Sequence, residues 1–84
     1  MSELDNYRIE IEKIDDEIAK LFVQRMKISE AIGEYKKENN LPIFDGKREE
    51  ELKEINLKKI DSKYRQSYMQ LFELVLKLSK DFQL

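Results

Sequence analysis

Arg25 is the residue that a plain helical protein has least reason to carry. It interrupts an apolar series that steps alternately by three and four: Leu4, Tyr7, Ile11, Ile14, Ile18, Leu21, Arg25, Ile28, Ile32, Tyr35. A guanidinium buried in such a seam needs a carboxylate or an anionic ligand, because an uncompensated buried charge costs several kcal/mol. Lys36 follows just over three helical turns later on the same face, with its Cα ~16 Å from that of Arg25. Two long cationic side chains leaning together across Ser29 and Ile32 would frame a gap suited to a small dianion. Arg8 lies beside Tyr7, ~25 Å from Arg25 along the same rod, too far to help in cis. In an antiparallel pair of first helices it would meet the region near residue 30 of the other chain. The two-fold axis would then pass near residue 19, an alanine small enough for close approach. Asp45 and Glu49, and again Ser79 and Gln83, are spaced four apart, which sets each pair on one side of a helical turn. Taken singly, these residues also have ordinary structural readings: a register-setting ion pair, a lysine favoured by a helix C-terminus, a cap with a first-turn acid, and polar boundary positions.

The composition removes many other chemistries. Neither His nor Cys occurs, so disulfides, thiolate nucleophiles, imidazole bases and ordinary zinc sites are excluded. The 16 Lys and Arg against 18 Asp and Glu are interleaved, as in EIEKIDDEIAK, which is not the basic stripe of a nucleic-acid binder. No apolar run approaches the ~20 residues of a membrane span. The polar start, MSELDNYRIE, is unlike a secretory signal, and a cytoplasmic protein is expected.

The elements that must position these residues are helical. Two Gly, one Pro and an abundance of Lys, Glu, Leu and Ile in 84 residues predict an all-α chain forming a single domain over residues 1–84. The period of the seam predicts a first helix over about 3–38, stopped by Asn39, Asn40 and Pro42. After the loop NNLPIFDG, a second helix is expected over 46–60, capped by Asp45. A third is expected over 62–83, after a break and new cap at Asp61-Ser62. The third helix carries two stripes, Tyr64, Tyr68, Leu71, Val75, Leu78 and Phe82 on one, and Phe72, Leu76, Ser79 and Gln83 beside it. A first helix of roughly 50 Å is too long for the other two to cover, so an intertwined homodimer is expected.

The chain closely resembles the all-α (type II) chorismate mutases. The resemblance rests on LDNYRIEIEKIDDEIAKLFVQRMKISEAIGEYK, on LPIFDGKREEE and on LFELVLKLSKDFQ. Its most specific parts are IDDEIAKLFVQRM, the K-x8-D-x2-RE run from Lys36 to Glu49, and the final S-x3-Q. It implies a homodimer of three-helix chains that converts chorismate to prephenate, on the route to phenylalanine and tyrosine, without metal or cofactor. Carried over by position, Arg25 would hold one substrate carboxylate and Arg8, supplied in trans, the other. Lys36 and Gln83 would meet the ether oxygen, Asp45 and Glu49 the ring hydroxyl, and Ser79 the ring carboxylate. Some relatives are fused to other aromatic-pathway enzymes, so the resemblance also implies such an enzyme as a candidate partner. Two further readings are an isochorismate-pyruvate lyase of the same fold, against which Glu49 speaks, and a non-catalytic helical adaptor or regulatory dimer.

Overall fold

The computed structural model describes residues 2–84 and is all-helical among them. Helix α1 runs Glu3–Glu38, α2 Gly46–Leu57 and α3 Arg65–Gln83, with a 3-10 turn at Ser62–Tyr64 leading into α3. α3 packs on both of the others.

The ends of α1 follow from its capping chemistry. The Ser2 hydroxyl accepts the Asp5 N–H at 3.1 Å, and Glu3 and Asp5 sit at the positive end while Lys36 and Lys37 occupy the negative end. At the other terminus Asn40 adopts φ 55°. The Leu41 N–H reaches back to the Lys36 carbonyl (2.8 Å) and the Asn40 N–H to that of Lys37 (3.4 Å). This is a Schellman turn, with asparagine at the left-handed position that glycine more often fills. It reverses the chain within five residues of Lys36.

The second helix ends at Leu57, three residues before the expected 60. The segment beyond it tightens into i→i+3 bonds, Lys59 N–H to Asn56 O and Ile60 N–H to Leu57 O. The expected break at Asp61-Ser62 is present, but the Asp61 side chain makes no capping bond. Its carbonyl accepts the Tyr64 N–H instead, at 2.9 Å, and the first three residues of the expected third helix form the 3-10 turn.

The core is small and lies where the C-terminal half of α1 meets α3. Met26, Phe72 and Leu76 are its buried apolar side chains, joined by the buried hydroxyls of Ser29 and Ser79. α3 therefore buries the stripe of Phe72, Leu76 and Ser79, while Leu71 and Phe82 of the other stripe are exposed. Almost the whole α1 seam, from Leu4 to Tyr35, is open to solvent. The molecule measures 57 × 26 × 15 Å with a radius of gyration of 16.3 Å, against roughly 12 Å for a compact chain of this length. Its surface is 7039 Å², where a compact monomer of this mass exposes roughly 5,300 Å². No helix among the described residues is long and apolar enough to cross a membrane.

Candidate functional site

A cavity of about 350 Å³ lies among α1, the loop before α2, the start of α2 and the end of α3. It gathers six of the seven residues singled out in the sequence: Arg25, Lys36, Asp45, Glu49, Ser79 and Gln83. The seventh, Arg8, is not among them. Its exposed guanidinium lies 4.0 Å from Asp5 on its own helix.

Lys36 is fixed by two acceptors from different parts of the chain. Its Nζ donates to the Ile43 carbonyl at 2.8 Å and to Gln83 Oε1 at 3.2 Å. The Schellman turn is what returns Ile43 to this position. An ammonium has three protons, so one remains uncommitted. The Gln83 amide is oriented by the same bond, since its oxygen faces Lys36 and its NH2 group is left to donate elsewhere. The pair thus presents a charged donor and a neutral donor side by side.

Gln83 can lie this close to α1 because residue 33 is a glycine. A Cβ there would stand 2.6 Å from the Gln83 Cα and 2.8 Å from its carbonyl carbon, inside the closest contact that real atoms tolerate. Lys37 Nζ also donates to the main-chain oxygen of Leu84. Two residues of α1 therefore dock the last turn of α3, and neither stands out in the sequence except as a helix-weakening Gly and one more Lys.

Arg25 departs from the ion pair that its place in the seam called for. Among the described residues no carboxylate lies within 4.0 Å of its guanidinium. It is half-buried, and its Cζ lies 6.0 Å from the Phe72 ring centroid, a cation–π distance. Lys36 likewise has oxygen partners but no carboxylate. Two cations without counter-charge thus border one cavity, which makes it attractive to a dianion.

The acids of the site are already engaged. Asp45 caps α2, its Oδ1 accepting the Arg48 N–H at 3.1 Å, while Glu49 lies 3.3 Å from Lys80 Nζ. Lys80 is a residue that pattern reading passed over. It also stands 4.9 Å from the Phe44 ring centroid, so it ties the loop, α2 and α3 together at the rim of the cavity. Ser79 is held by the Ser29 hydroxyl, which in turn donates to the Arg25 carbonyl at 3.1 Å. Nothing here resembles a nucleophile with its base. The arrangement can bind an anion, orient it and stabilise negative charge opposite Lys36 and Gln83.

A family model described as chorismate mutase type II matches residues 7–84. A bifunctional chorismate mutase/prephenate dehydratase from Aquifex aeolicus is 46% identical over 52 residues, which are 62% of this chain and 14% of that protein. A solved structure of a conserved hypothetical protein from Pyrococcus furiosus superposes with a TM-score of 0.79 at 43% identity, covering 100% of this chain and 99% of that one.

Proposed function

The chain belongs to the type II chorismate mutase family, and on that premise we propose that it rearranges chorismate to prephenate. The observation that carries the proposal is the Lys36–Gln83 pair facing the same cavity as the uncompensated Arg25. Chorismate has two carboxylates, a ring hydroxyl and an ether linking the ring to an enolpyruvyl group. In the rearrangement the ether C–O bond breaks as a new C–C bond forms, with no proton transferred and no covalent intermediate. A site for this reaction must select the compact conformer and stabilise charge developing on the ether oxygen. The first task is one of orientation. Arg25 takes one carboxylate, and Arg8 of a second copy of the chain takes the other, since Arg8 of the same chain lies far along the rod. The second task falls to the free proton of Lys36 and the amide of Gln83, preorganised donors that need no rearrangement as the bond breaks. Glu49 accepts from the ring hydroxyl, beside Asp45, and Ser79 faces the ring carboxylate.

A homodimer is part of this reading. The open seam of α1 and an apolar groove of about 450 Å³ lined by Ile18, Leu21, Phe22, Leu52, Leu71 and Val75 together suit a second copy crossing the first.

The test is to incubate the purified protein with chorismate and identify the product. Prephenate should form without added metal or cofactor, and Arg25→Ala should abolish it while helicity is retained. Chorismate left unchanged, or pyruvate released from isochorismate in its place, would overturn the proposal.

A further inference from the structure

Ser29 is a buried hydroxyl to which the resemblance assigns no task. It borders the cavity, is only 3% exposed and shares a hydrogen bond with Ser79 across the α1–α3 junction. We propose that Ser29 is a positioning residue for anion binding, acting through Ser79; this rests on the reading that Ser79 faces a substrate carboxylate.

The argument is a count of protons. Each serine hydroxyl has one proton and can accept from two directions. When the Ser29 hydroxyl donates to the Arg25 carbonyl, the proton shared by the two serines, either of which can be the donor, is that of Ser79. The Ser79 hydroxyl then turns lone pairs to the cavity, which is the wrong polarity for a carboxylate. An arriving carboxylate draws the Ser79 proton to itself. The Ser29 proton can then leave the Arg25 carbonyl and follow it to the Ser79 oxygen. That carbonyl loses little, because it still accepts the Ser29 backbone N–H as part of α1. Both buried hydroxyls stay satisfied in both states, and a hydroxyl that accepts a hydrogen bond donates a stronger one. The pair is thus a reversible chain: it points one way with the Ser29 proton on the Arg25 carbonyl and the other with an anion on the Ser79 hydroxyl.

Because the ring carboxylate is not the group on which charge develops, this contact is expected to act on ground state and transition state alike. Such uniform binding appears in KM and not in kcat. Ser29→Ala should therefore raise KM about three- to tenfold, in the lower part of the range of coupling between touching residues, with kcat within about twofold of wild type. The increase should disappear when Ser29→Ala is added to Ser79→Ala. Ser29→Cys keeps the site filled, with a somewhat larger atom and only a weak donor, so it should raise KM as Ser29→Ala does. A Ser29→Cys enzyme with wild-type KM would mean that shape, not hydrogen bonding, matters there, and would overturn the proposal. So would a Ser29→Ala effect that persists undiminished in the Ser79→Ala background. Thermal melting of the same proteins separates the two ways of failing. If the hydroxyls are coupled in stability but Ser79→Ala leaves KM unchanged, the hydroxyl pair stands and the ring-carboxylate contact of Ser79 falls.

Discussion

Lys36 and Ser79 both border the cavity, yet the chemistry asks different things of them. In the proposed reaction Lys36 would aim a charge at the oxygen that becomes negative, and removing such a donor typically costs about 10²–10³ in kcat. Ser79 is neutral and, on the same proposal, would face a group whose charge does not change. Lys36→Ala should therefore lose far more activity than Ser79→Ala when steady-state rates are compared, and equal losses would contradict this division. What could be read in the sequence divides along a similar line. Arg25 stands out because a cation breaks an apolar period, and Lys36, Glu49 and Gln83 because their order matches a family pattern. Ser29 and Lys80 carry no such mark. A small polar residue and a lysine on helices are unremarkable until the packing of α3 brings Ser29 against Ser79 and sets Lys80 between Glu49 and Phe44.

Among the elements, the contact of α1 with the last turn of α3 decides where Gln83 stands. Gly33→Ala tests it with two effects of opposite sign. Alanine favours α1 itself by about 1 kcal/mol over glycine, so helicity should hold or rise. The added methyl, however, must push the Gln83 backbone away, and a displacement of about 1 Å at a catalytic group can cost on the order of 10²-fold. Circular dichroism and kcat measured on one sample should move apart; an unchanged kcat would remove Gln83 from the ether oxygen. The run of α1 was legible because a period broken only at Arg25 runs up to the stop signals Asn39, Asn40 and Pro42. The end of α2 was not, since Lys58 to Ile60 continue the chain in a tightened turn that a 3.6-residue pattern does not separate from helix. Nor was the docking role of Gly33, whose neighbour lies 50 positions along the chain.

For the molecule as a whole, the difference between 7039 Å² of surface and roughly 5,300 Å² for a compact monomer asks for a partner. The α1 seam contributes to the excess: Ile11, Ile14, Ile18 and Leu21 are each more than half exposed. Sedimentation at micromolar concentration should give one species of twice the 10.2 kDa chain mass, and a monomer would refute the crossed arrangement. The sequence implied this through mismatched helix lengths alone. It did not reveal how little a single chain buries, because that depends on which stripe of α3 turns inward.

The remoteness of Arg8 from the cavity of its own chain has a consequence for mixtures. An Arg8→Ala chain and an Arg25→Ala chain should each be inactive when pure. Unfolded together and refolded at equal concentration, they should recover activity if Arg8 is supplied in trans as proposed, because each mixed pair would hold one site with both arginines intact and one with neither. If association is random, half of the pairs are mixed and about a quarter of the wild-type sites return. Two dead proteins would then complement each other in the test tube, as they would in a cell that carried both alleles.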